Sequence, residues 1–188
     1  MGVINGQTIK IADHGEIQLL SYAGLLDYHN SDSIWGLSVA FRALQLAASL
    51  FSGESLWDRK DLFIVSGHPG PGVRDAIEYV THCISHNRFR LVEEIRHEEK
   101  CTSAMKFEWK ISYDNHSHVI TLRDDFVPNE FYELLDRLNT GQERLEDKKY
   151  FDEFKTSLAE KIWHQPITSS YLVNNNTAKD SVKECINA

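Results

Sequence analysis

The stretch LFIVSGHPGPGVRDAIEYVTHC, residues 62–83, decides the fold. Its first four residues are apolar and predict a strand inside a sheet, whereas apolar residues recur every three or four positions over 72–85, as in a helix. The loop between them holds three glycines, which let a ligand approach the backbone, and the helix N-terminus that follows favours negative charge. We therefore expect function to be located where this strand ends.

Working outward, the flanking segments predict an α+β domain. A buried helix over 34–51 precedes the strand, and three strands follow at 89–95, 105–111 and 119–122, the last two joined by a turn at Asp114 and Asn115. The order helix, strand, helix and three strands indicates a four-stranded mixed sheet with helices on one face. Residues 1–126 are expected to form this core domain.

The two ends of the chain carry weaker patterns. Residues 17–20 are the one short apolar piece before a polar cluster over 27–33, which is typical of a loop and a helix cap. Residues 127–188 are predicted to be a helical extension, with helices over 131–138 and 145–163. The polar tail after Pro166 is expected to be loose or weakly docked.

Composition limits the class of function. The net charge of −8, from 28 acidic and 20 basic side chains, opposes nucleic-acid binding. The most apolar run, 34–51, is interrupted by Arg42 and Gln45, so we expect no membrane span, and the first residues lack the features of a secretory signal. Three widely spaced cysteines argue against a disulfide framework and favour the reducing cytoplasm.

Two motifs resemble the FmdE-like family, which is named after a component of formylmethanofuran dehydrogenase, over about residues 15–125. Members of that family have a His-Gly-His-x-Cys-Pro-Gly loop before one helix, and a second helix with Cys-x-Val-Asp-Ala and Thr-Gly-Cys. Here the corresponding stretches are YHNSDSIWGLSVAFRA and GVRDAIEYVTHC. The residues in family-like places are Gly36, Leu37 and Arg42 in the first stretch and Asp75, Ala76, Thr81 and Cys83 in the second. The resemblance implies an α+β fold and an accessory role linked to one-carbon metabolism, methanogenesis and molybdenum or tungsten enzymes.

The departures from the family motifs fall on its metal ligands. Ile34 stands where the loop cysteine would be, Trp35 replaces the proline, and Gly72 replaces the first cysteine of the second motif. Asp32 and Asn30 occupy the two histidine positions. The resemblance therefore implies a retained pocket with an altered site.

Four residues are candidate ligands for zinc or another divalent metal: His29, Asp32, His68 and Cys83. Nitrogen, oxygen and sulfur ligands of these types suit zinc, and the resemblance would bring them together at one end of the sheet. Three of them also have a simpler structural interpretation, because Asp32 suits a helix cap, Cys83 a core position and His29 an ordinary loop.

A second chemistry is anion binding at the glycine loop. Gly70 and Gly72 open the backbone, and Arg74 adds a cation in the first turn of the helix. The alternative is a proline-stiffened turn without a ligand. Trp35 makes the rim of the pocket apolar, so an organic ligand between Trp35 and the loop is a further hypothesis.

These patterns favour a cytoplasmic accessory or ligand-binding protein with a divergent metal site. The alternatives are a small metal- or thiol-dependent enzyme, and a structural protein that docks through its C-terminal helices. Expected partners are a small anionic ligand, a partner enzyme and a second copy of the chain in a homodimer, because a sheet with helices on one face leaves its other face to be covered.

Overall fold

The structure is a computed structural model that describes residues 6–30, 34–53, 56–96 and 100–177. Its strands are β1 (Thr8–Asp13), β2 (Glu16–Ser21), β3 (Leu62–Ser66), β4 (Phe89–Leu91), β5 (Glu108–Tyr113), β6 (His116–Leu122) and β7 (Tyr171–Thr177). Its helices are α1 (Tyr22–His29), α2 (Ile34–Phe51), α3 (Pro71–Thr81), α4 (Asn129–Thr140), α5 (Asp147–His164) and α6 (Ile167–Ser170). The predicted α+β class is confirmed.

The main sheet is mixed and has the strand order β4-β3-β5-β6-β7 within the described residues. Strands β3 and β4 are parallel, and every other neighbouring pair is antiparallel. The interior position predicted for β3 is confirmed, since β4 and β5 flank it. Strands β5 and β6 form the predicted hairpin, with Asp114 at a φ of 52° in its turn.

The sheet has five strands rather than the predicted four, because the tail forms β7. This strand pairs with β6 from Tyr171 opposite Leu122 to Thr177 opposite His116. Asparagine disfavours strands, so the segment 171–177 looks loose when the sequence is considered alone. Pairing with β6 supplies hydrogen bonds for its backbone and overrides that local preference.

An N-terminal hairpin, β1 with β2, forms a separate two-stranded sheet that was not predicted from the sequence. Ile9 and Ile11 of β1 are buried in the core. Helix α1 follows, so Asp27 and His29 lie on a helix rather than in the predicted loop, and Asn30 ends it in the left-handed conformation. Residues 31–33, which include the predicted cap at Asp32, lie outside the described residues.

Helix α2 is the central element of the core and packs against α3, α5 and the sheet. It is long and apolar enough to cross a membrane by length and composition alone, but 72% of it is buried inside the fold. A buried core helix of a soluble protein has the same properties. The fold is thus compatible with a soluble protein.

The helices cover one face of the main sheet. Leu62 and Ile64 of β3 are fully buried on that face, whereas Phe63 between them is 37% exposed on the other. Helix α3 ends at Thr81, earlier than predicted, because His82 takes the left-handed conformation. Strand β4 is also shorter than the predicted strand over 89–95, since a 3-10 turn occupies Glu93–Ile95.

The C-terminal helices pack on the core rather than extending from it. The indole of Trp163 donates a hydrogen bond to Ser38 Oγ (3.2 Å), and Arg42 donates to the backbone oxygen of Gln165 (3.1 Å). Phe131 and Leu135 of α4, one of the C-terminal helices considered for docking to a partner, are buried within the chain itself. The segment 127–177 therefore completes the core and contributes a strand to its sheet.

Candidate functional site

The loop between β3 and α3 is held by hydrogen bonds within itself and by hydrogen bonds to Lys106 and Glu108. The backbone N–H of His68 donates to Ser66 Oγ (3.1 Å), which in turn donates to the backbone oxygen of His68 (3.0 Å). The N–H of Gly67 donates to the backbone oxygen of Glu108, and its oxygen accepts from the N–H of Lys106, each bond 2.8 Å long. A β-carbon on Gly67 would stand 2.9 Å from the backbone oxygen of Lys106, so only glycine fits there.

His68 is a neutral histidine turned into the protein. Its side chain packs on Phe107 with ring centroids 4.7 Å apart, and the residue is 4% exposed. Burial lowers the pKa of His68 to about 3. Because Nδ1 accepts a 3.0 Å hydrogen bond from the Gly70 N–H, the ring proton is on Nε2, which has no hydrogen-bond partner within the described part of the chain.

Cys101 lies beside His68 on the same side of Gly70. A β-carbon on Gly70 would stand 2.6 Å from Cε1 of His68 and 2.8 Å from Sγ of Cys101. Burial raises the pKa of the Cys101 thiol to about 11, a shift that the charge of Lys155 partly opposes. Asn139 of α4 donates to the backbone oxygen of Cys101 (2.8 Å) and holds this segment against the C-terminal helices.

These residues line a cavity of about 120 Å³. Trp35 of α2, the loop residues His68 and Gly70, and Cys101 form one side of it. The C-terminal helices also contribute to the lining, through Phe131 and Leu135 of α4 and Phe151 and Lys155 of α5. The cavity is thus enclosed between the strand-to-helix loop predicted as the site and a part of the chain predicted as an extension.

The N-termini of two helices converge on this cavity. Gly36 lies in the first turn of α2, and a β-carbon on it would stand 3.2 Å from the backbone nitrogen of Val73, in the first turn of α3. The N-cap of α3 is Gly70, which makes no side-chain hydrogen bond to the helix. Neither helix has an acidic residue in its first turn. The partial positive charges of both helix ends are therefore directed toward one place.

Lys155 of α5 brings a formal positive charge to the cavity. Its ammonium lies 2.7 Å from Oδ1 of Asp152 and 5.1 Å from the centroid of the Phe151 ring. Among the described residues that line the cavity, there is no aspartate or glutamate. The described lining thus carries one formal positive charge, which Asp152 outside the lining partly offsets, in a chain whose net charge is −8.

The three candidate metal ligands that the structure describes do not come together. Cys83 donates to the backbone oxygen of Leu62 (3.5 Å), whereas His68 follows Ser66, so the two lie beyond opposite ends of β3. His29 is directed to α3 instead, where its Nδ1 lies 2.6 Å from Oδ2 of Asp75. The fourth candidate, Asp32, is outside the described residues.

No group of three or more histidine, cysteine, aspartate or glutamate side chains suited to a metal occurs in residues 6–30, 34–53, 56–96 and 100–177. The described residues in family-like places therefore do not fit the metal that the resemblance implies. Ile34 and Gly72 replace two of its cysteines, and neither can donate a sulfur ligand.

Only part of the predicted anion site lies at the cavity. Gly70 and Gly72 line the cavity, as does Trp35, which was predicted at its rim. Arg74 instead turns toward β4, with its guanidinium carbon 5.4 Å from the Phe89 ring centroid. The cation that lines the cavity is Lys155, about 80 residues further along the chain.

Sequence reasoning missed the residues of the C-terminal wall and Cys101. Cys101 lies in a segment without clear periodicity. Phe151 and Lys155 lie on a helix that was predicted from its sequence pattern, which does not show what the helix contacts. A helical period shows which residues share a face but not which element that face meets. No local signal connects α5 with the glycine loop.

The chemistry of the site favours binding over catalysis. A thiolate–imidazolium pair requires a low thiol pKa and a histidine that accepts a proton near neutral pH. Burial moves the pKa values of Cys101 and His68 in the opposite directions. At neutral pH the cavity therefore contains an uncharged thiol and an uncharged imidazole.

Comparison with known proteins leaves the site to be interpreted on its own geometry. The chain matches no protein-family model, and no curated protein is significantly similar to it.

Proposed function

We propose that this protein binds a small organic molecule in the cavity between Trp35, the glycine loop and the C-terminal helices. The observation that carries the proposal is the cavity itself, about 120 Å³ in volume and bordered by Trp35, Phe131 and Phe151. An apolar cavity of about 150 Å³ accepts benzene in another protein, so this smaller cavity suits a short branched chain or a ring no larger than benzene. Aromatic walls with a few polar groups are typical of ligand sites.

The polar groups of the cavity support binding of a molecule with hydrogen-bond acceptors. Nε2 of His68 is a donor without a partner among the described residues. Trp35 is 3% exposed, and its Nε1 likewise has no partner in the part of the chain that the structure describes. A buried unpaired donor such as Nε1 of Trp35 costs free energy, and an acceptor on a ligand would recover it.

The proposed role is that of an accessory protein in the cytoplasm, as the resemblance to the FmdE-like family suggests. Binding without catalysis agrees with the neutral state of His68 and Cys101. The proposal uses no metal. The predicted zinc or other divalent metal remains a prediction, which elemental analysis of untagged protein would test by its metal content per chain.

A thermal-shift screen tests the proposal. The panel contains benzene-sized aromatics and short branched molecules, each as acid, amide and alcohol, with the wild-type chain. A ligand at ten times its Kd stabilises by about 1.4 kcal/mol, which raises the Tm of a chain of this size by about 3–6 °C. A panel in which no compound raises the Tm contradicts the proposal.

Two variants of α4 locate the binding. Leu135→Phe introduces a larger side chain at a residue that lines the cavity, and Leu138→Phe makes the same change one turn away at a half-buried residue that does not. We expect ligand shifts to be lost in the first variant and kept in the second. NMR contacts between a bound compound and the rings of Phe131 and Phe151 provide a readout that needs no variant. Binding without these contacts places the ligand elsewhere.

The predicted homodimer also stays a proposal, supported by the uncovered face of the sheet. Phe63 and Leu172 are 37% and 43% exposed on that face. Light scattering during size-exclusion chromatography measures the mass directly. A monomer mass at concentrations of tens of micromolar contradicts the dimer and leaves the cavity proposal unaffected.

A further inference from the structure

We propose that the ligand is an organic monocarboxylate whose carboxylate lies where the N-termini of α2 and α3 meet, beside His68 and Lys155. The inference rests on the proposed function and deepens it, since it names the chemical class that the same cavity takes. The apolar part of the ligand lies against Trp35, Phe131 and Phe151.

The convergence of two helix ends is the first support. The first turns of α2 and α3 are close enough that glycine at position 36 faces the backbone nitrogen of Val73. Helix N-termini present unpaired N–H groups and a partial positive charge, and both attract carboxylates. A capping side chain would accept a hydrogen bond from these N–H groups in α3, but the N-cap residue is Gly70, which has no side chain.

His68 is the second and independent support. It is 96% buried, with 4% exposure, lines the cavity and keeps its Nε2–H without a partner among the described residues. Its Nδ1 is occupied by the Gly70 N–H, which fixes the tautomer and leaves Nε2 as a donor. A carboxylate oxygen accepts from such a donor more strongly than a neutral oxygen does.

The charge balance favours a single negative charge. Lys155 is the one formally charged side chain on the described lining. Its ammonium also forms an ion pair with Asp152, which does not line the cavity. His68 stays neutral, so the described lining holds no second cation that would match a dianion. Phosphate monoesters carry about 1.5 to 2 negative charges at pH 7, more than one cation balances. A carboxylate carries one.

The apolar lining favours an organic ligand over a free ion. Phe131, Leu135 and Met105 contribute no charge, and together with Trp35 and Phe151 they occupy most of the wall away from the helix ends. Burying apolar atoms of a ligand against these side chains stabilises the complex, because that surface is removed from water. A bare ion cannot use this surface.

The test is isothermal titration of the wild-type chain with matched pairs of probes. The pairs are benzoate with benzamide and isobutyrate with isobutyramide, which share shape and differ in charge, and inorganic phosphate is the third arm. We expect each carboxylate to bind at least ten-fold more tightly than its amide, and phosphate to bind more weakly than both carboxylates. Amides that bind as tightly as the acids, or phosphate that binds best, would overturn the inference.

Lys155→Met and Lys149→Met complete the experiment. Lys155→Met removes the charge and keeps the length of the side chain, whereas Lys149 lies on the same helix, does not line the cavity and is largely exposed. We expect the first variant to weaken carboxylate binding about ten-fold while amide binding stays within about two-fold, since an ion pair is lost and the apolar contacts remain. The second variant should bind as wild type does. Equal carboxylate affinity in all three proteins contradicts the role of Lys155.

The outcomes separate this inference from the proposed function. If amides bind in the cavity and carboxylates do not, the protein is still a small-molecule binder and the carboxylate assignment is wrong. If neither amides nor carboxylates bind and no compound of the wider panel binds, the carboxylate inference and the proposed function are both wrong. Contacts to the ring of Phe131 by NMR confirm that the site of binding is the cavity in either case.

Discussion

The hydroxyl of Tyr171 donates a 2.6 Å hydrogen bond to the backbone oxygen of Val39, 132 residues earlier in the chain. Tyr171 is the first residue of β7 and Val39 lies in the first half of α2. The bond joins the last strand of the sheet to the central helix, and it is buried. Burial raises the pKa of the Tyr171 hydroxyl, so the group stays protonated and remains a donor.

We predict that Tyr171→Phe destabilises the protein. The variant keeps the ring and removes one buried hydrogen bond, which costs about 1–2 kcal/mol and lowers the Tm by about 2–8 °C. Tyr150→Phe is the matched control, because Tyr150 is 52% exposed on α5. Urea unfolding followed by circular dichroism measures both. Equal stability of the two variants would mean that the bond to Val39 contributes nothing measurable.

Gly70→Ala is predicted to destabilise the fold by steric crowding alone. The backbone of Gly70 has φ −60° and ψ 147°, which alanine adopts freely, but its β-carbon would meet His68 and Cys101 at 2.6 and 2.8 Å. Overpacking of this kind costs about 1–3 kcal/mol. Gly53→Ala is the control, since a β-carbon there meets nothing within 4 Å. The same unfolding assay should place Gly53→Ala within about 1 kcal/mol of wild type.

His68 should make the protein less stable as the pH falls. Its pKa is about 3 in the folded state and 6.5 as the reference for the unfolded chain. Between these values the unfolded chain binds a proton that the folded chain does not, so the free energy of unfolding decreases as pH falls from 6.5 toward 3. At pH 5 the loss is about 2 kcal/mol.

His68→Asn isolates this effect, because the amide oxygen offers Gly70 an acceptor and does not titrate. We expect the difference in unfolding free energy between pH 7 and pH 5 to be smaller in this variant than in wild type by about 2 kcal/mol. His116→Asn, at an exposed position at the start of β6, should keep the wild-type difference. A His68→Asn variant with unchanged pH dependence contradicts the buried neutral state.

Cys101 is predicted to react slowly with alkylating reagents. The thiolate is the reactive form, and raising the pKa from 9.0 to about 11 lowers its fraction at pH 8 on the order of 100-fold. Iodoacetamide labelling followed by site-resolved mass spectrometry compares the native and the urea-unfolded chain. Lys155→Met should slow the native reaction further, because Lys155 favours the thiolate. Rapid native labelling of Cys101 would revive the thiol-enzyme alternative.

The elements whose pattern is local could be predicted from the sequence. Three elements have patterns that are visible within a few residues. These are the apolar run of β3, the apolar spacing of three and four in α3, and the alternation of apolar and polar residues in β5. The glycine loop was expected to mark the site because its glycines permit close approach and a helix begins after it, and in the structure it borders the cavity. Strand β7 was not predicted from the sequence, because asparagines such as Asn174 disfavour a strand. It forms in the structure because it pairs with β6.

By itself the sequence determined the α+β class, the central helix, the position of β3 and the glycine loop, because these follow from hydrophobic periodicity and from the conformational freedom of glycine. Tertiary structure alone decided the site. It separated Cys83 from His68 by the length of β3, turned Arg74 away and brought Cys101 and Lys155 to the loop. The physical reason is that a cavity forms where distant faces meet, and the choice of those faces depends on the packing of the whole chain.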